Sequence, residues 1–351
     1  MSRSSDGGGT FMSLFQAFRE ECRRYARQKR LSVNDKSKTY NMSQNEANAE
    51  QVSAEGFSEL VQEFDTFICG ADGLVWLREG VITDASKLIN QLVDNKKQVI
   101  ILTNDTTTTR ADHEKKLADH RFSPKITKDV IVTPGLILAN YIKNSASCSG
   151  KKVYIIAAEG VQDELKDNGI EYFGQGLDML EPQGKEVIVL NTDLAVKREE
   201  VCAVVVGFDK HFNYKKMMKA ANYLRNPNCL FLATNDDATF SCQNQDIVVP
   251  DAGAIVASVS KASTREPVIV GKPYLPAFEF IKSKWKINES RTMMICSRIS
   301  TDVKFGRDHG LRTLLILNET QQLDELEKLR STGQVNLLPH YYATSIASIL
   351  P

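Results

Sequence analysis

The sequence predicts an α/β protein built on a doubly wound, Rossmann-like parallel sheet. From Phe57 onward, short apolar runs alternate with stretches of 3.6-residue periodicity such as Asp84–Val93, Tyr214–Leu224 and Tyr274–Lys284. The runs are continuously apolar and mostly β-branched or aromatic, which is typical of strands buried on both faces. They read FDTFIC, QVIIL, KVYIIAA, EVIVL, CAVVVGF, CLFLAT, PVIVG, TMMIC and RTLLIL. In such a fold a ligand binds at the carboxyl ends of the strands.

Composition excludes several classes of protein. The chain has 351 residues, long enough for two domains with their own cores. A hydrophobic fraction of 42% and a charged fraction of 25% are ordinary for a globular protein. Balanced counts of 44 basic and 44 acidic residues argue against a nucleic-acid partner, and no run is long enough to cross a membrane.

The cysteines indicate a reducing environment. There are seven, scattered along the chain with no C-x-x-C pair. This spacing argues against a disulfide framework and against a structural zinc site. We therefore expect a cytoplasmic protein.

The N-terminal residues 1–56 differ from the rest, because they are rich in small and polar residues and predict a flexible extension. Within them, Phe11–Arg30 predicts one amphipathic helix. That helix serves either as a targeting or docking element or as a solvated terminal helix. A secretory signal is excluded by the absence of an apolar core with a cleavage site, whereas a mitochondrial presequence is less clearly excluded.

Four segments fall at predicted strand ends. They are CGADGLVW (69–76), LTNDTTTTR (102–110), VGKPYLPAFE (270–279) and MMICSRISTDVKFG (293–306). Each is weak alone, since Asp-Gly is often a turn and Thr-Asn often a helix cap. In this order and spacing they resemble the motifs of the haloacid dehalogenase (HAD)-like superfamily. Within it, the chain resembles the branch of phosphoglycolate, pyridoxal and 4-nitrophenyl phosphatases, to which residues 204–240 and 337–350 are also similar.

The resemblance implies a phosphoryl-transfer site. In active relatives the first Asp of D-x-D-G-x-x-W attacks phosphorus, and the second, here Asp72, acts as acid and base. The phosphate-binding positions are Thr103 and Asn104, and Lys272 neutralises charge. Magnesium is the family's cofactor, and the backbone carbonyl of Asp72 is one of its ligands. Asp302 matches the last Asp of G-D-R-x-x-T-D and is a possible nearby metal residue.

The departures from the family pattern matter most. The nucleophile position is Gly70, which has no side chain to attack phosphorus. The magnesium Asp is replaced by Ser297, and the next acidic position is Ser300. Asp105 stands where the family has a second Asn, which adds negative charge beside the phosphate pocket.

Two functions follow from these departures. The first is a pseudophosphatase, a ligand-binding or dimerising regulatory protein that holds magnesium weakly or not at all. The second is a residual magnesium-dependent phosphatase on small phosphomonoesters such as 2-phosphoglycolate, with Asp72 activating water. For Lys272 the sequence leaves open a bound phosphate, with Thr103 and Asn104, or an ion pair with Asp72 or Asp302.

The resemblance also implies two domains. The HAD-like core comprises 57–121 and 268–351, and a large α/β cap, 122–267, is inserted between them. The cap implies a homodimer, or a heterodimer with an active relative, and a small phosphorylated metabolite is the expected ligand.

The predicted substrate loop of the cap contains Asn235, Asp237 and Phe240. Phe240 stands where pyridoxal phosphatases carry a His, which makes pyridoxal phosphate a poorer candidate ligand. Asp251 replaces a Gly of the family's Pro-Gly-x-Gly segment.

Overall fold

The computed structural model describes residues 49–77, 80–178, 196–240, 246–317 and 321–351. Two sequence predictions lie outside these ranges. They are the helix over Phe11–Arg30 and the strand at EVIVL (186–190).

Eight of the described strands coincide with predicted apolar runs, and six short ones, of two or three residues, lie outside them. In chain order they are β1 (Glu50–Gln51), β2 (Thr66–Gly70), β3 (Trp76–Leu77), β4 (Gly80–Val81), β5 (Gln98–Leu102), β6 (Ile131–Val132), β7 (Lys152–Ile156), β8 (Tyr172–Phe173), β9 (Val201–Val206), β10 (Leu230–Ala233), β11 (Val268–Ile269), β12 (Thr292–Cys296), β13 (Arg312–Ile316) and β14 (Tyr341–Ala343).

Among the described residues these strands form two parallel sheets. One has seven strands in the order β1-β14-β13-β12-β2-β5-β6, and the other has five in the order β11-β10-β9-β7-β8. Every residue of β2, β9 and β12 is buried, as continuous apolar strands in a parallel sheet require. A small antiparallel hairpin joins β3 to β4. The α/β fold class is confirmed.

The helices alternate with the strands. They are α1 (Ala54–Glu63), α2 (Ala85–Asp94), α3 (Arg110–Asp119), α4 (Pro134–Lys143), α5 (Glu159–Asp167), α6 (Tyr214–Tyr223), α7 (Ala252–Ser263), α8 (Leu275–Trp285), α9 (Lys304–Asp308) and α10 (Gln321–Ser331). Five begin at a side chain that accepts a hydrogen bond from a first-turn N–H, which satisfies an otherwise unpartnered donor. These capping residues are Ser53, Thr109, Thr133, Asn213 and Asp251.

The sheet pairings differ locally from the predicted domain boundaries. Strand β6 lies inside 122–267 but pairs with β5 in the seven-stranded sheet. Strand β11 lies inside 268–351 but pairs with β10 in the five-stranded sheet. Regular structure also begins before residue 57, because β1 pairs with β14 and Val52 is buried.

One disulfide joins Cys148 to Cys202, whose Cα atoms are 5.0 Å apart. This bond departs from the sequence analysis, in which the cysteine spacing argued against a disulfide framework. The two residues are far apart in sequence and meet only because β9 packs beside the turn that ends at Cys148. Cys69, Cys229 and Cys296 are buried thiols. Of the described helices, none is both long and apolar enough to cross a bilayer.

Candidate functional site

The four motif segments meet at one edge of the seven-stranded sheet. Strands β12, β2 and β5 are neighbours in that order, so the loops after them leave the sheet side by side. These loops carry Asp72, Thr103 with Asn104, and Ser297. The segment after β11 brings Lys272 to the same place, where its side chain is 1% exposed. The topology therefore brings together the residues that the sequence singled out in the core.

Asp302 fills the space that faces Gly70. A Cβ atom placed on Gly70 would lie 2.5 Å from Oδ2, 2.7 Å from Cγ and 2.8 Å from Oδ1 of Asp302. Asp302 reaches this position from a π-helical turn, Ile299–Val303, and is fully buried. Its carboxylate therefore occupies the volume that any side chain at position 70 would enter.

Lys272 is the counterion of this carboxylate. Its Nζ lies 2.7 Å from Oδ1 of Asp302 and donates to the carbonyl oxygen of Leu102 at 3.1 Å, while Oδ2 of Asp72 is 3.9 Å away. Burial works against the charged ammonium, but Asp302 and Asp72 outweigh it and raise the pKa of Lys272. Both ion pairs that the sequence left open are present, the shorter with Asp302 at 2.7 Å and the longer with Asp72 at 3.9 Å.

Ser297 connects the first and fourth motifs. Its Oγ donates to the backbone carbonyl of Asp72 at 2.6 Å, and its N–H donates to Oδ2 of Asp302 at 3.1 Å. The carbonyl of Asp72 is the oxygen that holds the metal in the family. Gly70 and Ser297 offer no carboxylate beside it, and the serine hydroxyl already engages it. This donor set does not match the carboxylate-rich shell that magnesium takes in the family.

The Asp72 side chain accepts several hydrogen bonds. Thr103 Oγ1 lies 2.8 and 2.9 Å from the two carboxylate oxygens and donates to them. The backbone N–H of Asn104 donates to Oδ2 at 3.1 Å, and Trp76 Nε1 donates to Oδ1 at 3.2 Å. The Thr103 hydroxyl and the Asn104 backbone N–H, at the two positions that the sequence assigns to phosphate binding, are thus directed at a carboxylate.

Asn104 ties the core to the loop predicted to select the substrate. Its Nδ2 donates to Oδ2 of Asp237 at 2.8 Å, and its Oδ1 accepts from the N–H of Lys272 at 2.9 Å. Arg298 lies 3.2 Å from the other oxygen of Asp237, and Tyr274 donates to Asp236. The sequence placed Arg298 in the fourth motif, but neither this contact nor that of Tyr274 had a sequence signal.

Within this loop, Asn235 bridges two carboxylates. Its Nδ2 lies 2.8 Å from Oδ2 of Asp237 and 3.3 Å from Oδ2 of Asp251. Burial, together with Asp237 and Asp105, raises the pKa of Asp251 to about 7. Phe240 packs edge-to-face on Phe208 with ring centroids 5.0 Å apart.

A cavity of about 220 Å³ lies between the motif loops and this cap loop. Asp72, Asn104, Asp237, Phe240 and Arg298 are among the residues that line it. His113 also lines the cavity, and its ring stacks on that of Trp76 with ring centroids 4.3 Å apart. His113 was missed by sequence reasoning because it lies in a helix, outside the motif segments.

Comparisons with known proteins agree with this architecture. Family models for haloacid dehalogenase-like hydrolases and for HAD-hydrolase-like proteins match residues 67–171 and 269–349. A p-nitrophenyl phosphatase from Archaeoglobus fulgidus superposes with a TM-score of 0.67 at 22% identity, covering 82% of this chain and 98% of that one.

Two curated relatives are more similar in sequence. A NipSnap-named protein of Caenorhabditis elegans is 34% identical over 256 residues, 72% of this chain, which spans only 48% of that relative. Phosphoglycolate phosphatase 2 of Arabidopsis thaliana is 32% identical over 304 residues, 85% of this chain and 96% of that protein. The chain therefore belongs to the HAD-like superfamily, in the branch that contains the phosphoglycolate phosphatases.

Proposed function

We propose that this protein is a pseudophosphatase, a HAD-fold protein that binds a ligand under its cap without hydrolysing a phosphoester. The observation that carries the proposal is the Asp302 carboxylate in the space beside Gly70, neutralised by Lys272. The family's nucleophile position has no reactive group, and its surroundings are packed.

Asp302 does not take over as nucleophile. One of its oxygens pairs with Lys272, and the other accepts from the backbone N–H groups of Ser297 at 3.1 Å and Arg298 at 3.3 Å. The side chain is fully buried. An attacking carboxylate needs an oxygen in line with phosphorus, and Asp302 presents none to the cavity.

Magnesium is not expected to bind at cellular concentrations. Magnesium gives up its water reluctantly and relies on carboxylate charge. Here Gly70 and Ser297 supply no charge, and the Asp72 carboxylate is engaged by Thr103 and Asn104.

The expected loss of rate is large. Removal of a catalytic nucleophile costs on the order of 10⁴ to 10⁶ in turnover, and loss of the metal adds to it without simply multiplying. What the fold retains is the cavity under the cap loop and the contacts that hold that loop in place.

The test compares hydrolysis of 4-nitrophenyl phosphate and 2-phosphoglycolate, with magnesium, by the unchanged protein and by Gly70→Asp/Ser297→Asp. We expect no turnover by the unchanged protein. The double variant must displace the Asp302 carboxylate to place its new side chain, so circular dichroism first confirms that it folds, and the folded variant is expected to show magnesium-dependent turnover. Adding Asp72→Asn to the double variant serves as the control and should abolish the gained activity. Turnover by the unchanged protein that Asp72→Asn removes would overturn the proposal in favour of a residual phosphatase.

A further inference from the structure

The cap loop, residues 235–240, is fastened to the core through one carboxylate. Oδ2 of Asp237 accepts a hydrogen bond from Asn104 Nδ2 at 2.8 Å, and its Oδ1 lies 3.2 Å from the Arg298 guanidinium. Asn104 follows β5 and Arg298 follows β12, so both contacts join the cap loop to the seven-stranded sheet. Asp237 is 8% exposed, which shields these contacts from the water that would weaken them. The two contacts of Asp237 form a latch between the cap loop and the core.

A second buried carboxylate is coupled to this latch. Asn235 Nδ2 lies 2.8 Å from Oδ2 of Asp237 and 3.3 Å from Oδ2 of Asp251, so one amide group serves both carboxylates. The other oxygen of Asp251 accepts from the N–H of Ala252 at 2.6 Å. In the part of the chain that the structure describes, no lysine or arginine forms an ion pair with Asp251. A negative charge on Asp251 therefore meets that of Asp237 without a cation of its own.

The backbone around Asp251 packs tightly on the cap loop. The N–H of Asp251 donates to the carbonyl of Ala238 at 3.0 Å, and the N–H of Gly253 donates to the carbonyl of Asp237 at 2.9 Å. A Cβ atom on Gly253 would lie 2.6 Å and 2.7 Å from the carbonyl oxygens of Asp236 and Asp237. Repulsion between the two carboxylates therefore acts on the cap loop itself, because no loose packing is present to absorb it.

The surroundings of Asp251 make its charge sensitive to pH. Burial, with smaller contributions from Asp237 and Asp105, raises the pKa of Asp251 to about 7, against hydrogen bonds from Ala252 and Asn235. Among the described residues, the charged or titratable side chains that line the same cavity are Asp72, Asp105, His113, Lys116, Asp237 and Arg298. The carboxyl of Asp251 thus changes from neutral to charged near neutral pH, beside the carboxylate that forms the latch.

We propose that the cap loop is a pH-sensitive lid, which Asp237 latches to the core while Asp251 is neutral and which ionisation of Asp251 releases. Release separates the two carboxylates and lets water solvate each of them. The cavity that the loop covers then opens. This inference is independent of the proposed function, since it concerns access to the cavity and not turnover.

The size of the effect follows from linkage. In the latched form the pKa of Asp251 is about 7, and in a solvated, released form it returns to the ordinary value of 3.8. The released form therefore binds fewer protons than the latched form between these two values, so release becomes more favourable as the pH rises. The equilibrium constant for release should grow roughly 50-fold between pH 5 and pH 7.

The first experiment measures hydrogen exchange of the Gly253 N–H in the unchanged full-length protein, with each rate divided by its intrinsic value at that pH. We expect the protection of Gly253 to fall roughly 50-fold from pH 5 to pH 7. It should stay at least about 100-fold below the protection of the buried strand β12, because only the lid opens. Protection that does not change with pH, or that equals the protection of β12, would overturn the inference.

Two isosteric variants assign the effect to Asp251. Asp251→Asn can still cap α7 but cannot ionise, so its Gly253 protection should change less than about threefold between pH 5 and pH 7. Asp324→Asn, at an exposed position on α10, is the matched control and should keep the full fall. If Asp251 had only a structural role, Asp251→Asn would alter protection equally at both pH values and keep the fall, which would refute the lid.

Acrylamide quenching of Trp76 tests whether release opens the cavity. Trp76 lines the cavity and is 4% exposed, and Trp285→Phe removes the other tryptophan of the chain. The quenching rate constant, obtained from fluorescence lifetimes, should rise at least about twofold from pH 5 to pH 8. Arg298→Met removes one contact of the latch and should raise this constant already at pH 5. A quenching constant that responds to neither change would show that the cap loop is not a lid on this cavity.

Discussion

Replacing Gly70 with alanine tests whether Asp302 fills the vacated nucleophile position. The added methyl carbon would lie 2.5 Å from Oδ2 and 2.7 Å from Cγ of Asp302, far inside van der Waals contact. The carboxylate cannot retreat without cost, because Lys272 at 2.7 Å and the N–H of Ser297 at 3.1 Å hold it. Either the backbone of β2 shifts or the buried ion pair is disrupted.

The expected magnitude follows from those two responses. Overpacking of a well-filled core costs about 1–3 kcal/mol, and disruption of a buried ion pair costs about 3–5 kcal/mol. We therefore expect Gly70→Ala to lower the free energy of unfolding by about 2–5 kcal/mol. The measurement is urea denaturation followed by circular dichroism. An unchanged slope of the unfolding free energy against urea concentration would confirm that the variant undergoes the same unfolding reaction.

Gly80→Ala is the matched control, because a Cβ atom at Gly80 would meet nothing within 4 Å. Its free energy of unfolding should change by less than about 1 kcal/mol. The cost of Gly70→Ala should also largely vanish in an Asp302→Ala background, where the space is empty. The reasoning is refuted if Gly70→Ala costs no more than Gly80→Ala, or if its cost is the same with and without Asp302.

Two further predictions concern the cap. Because burial and neighbouring carboxylates raise the pKa of Asp251 from 3.8 to about 7, the folded state holds a proton that the unfolded chain has released, and stability falls as pH rises through this window. Asp251→Asn keeps a side chain that can cap the helix but removes the titrating carboxyl. It should raise the free energy of unfolding by about 1–4 kcal/mol at pH 8 but not at pH 4. An equal effect at both pH values would contradict the raised pKa of Asp251. The family resemblance implies a homodimer formed through the cap, and the exposed side chains of Ile247 and Val248, 59% and 74% exposed, are candidates for its contact surface. Ile247→Ser/Val248→Ser should therefore weaken self-association in sedimentation equilibrium by about 2–5 kcal/mol. A monomeric unchanged protein would refute the contact.

The sequence predicted the central strands well because each of them is a nearly continuous apolar run. QVIIL and TMMIC correspond to the observed strands Gln98–Leu102 and Thr292–Cys296. The edge strand Glu50–Gln51 and its neighbour Tyr341–Ala343 have two and three residues and were not predicted. A pattern so short has no measurable period, and only pairing with a neighbouring strand defines it.

For the candidate site, motif order predicted which core residues meet but not how they pair. Nothing in the spacing of Gly70 and Asp302 indicates that one side chain fills the space beside the other, since this depends on the π-helical turn at Ile299–Val303. The contacts of Asp237 with Asn104 and Arg298 likewise join loops from two different sheets. Such contacts depend on how the sheets are arranged, which local sequence does not encode.

The internal contacts of the site argue against simple decay. Loss of the nucleophile still leaves Asp302, at a position where the family also has Asp, as the counterion of the buried Lys272 ammonium, which would be strongly destabilising if unpaired. The Ser297 hydroxyl engages the Asp72 carbonyl that a metal would otherwise hold. Neither the Lys272 ammonium nor the Asp72 carbonyl is thus left without a partner. Restoring the catalytic carboxylates should consequently lower stability in the absence of magnesium, because it returns unpaired negative charge to a buried site that is now electrically satisfied.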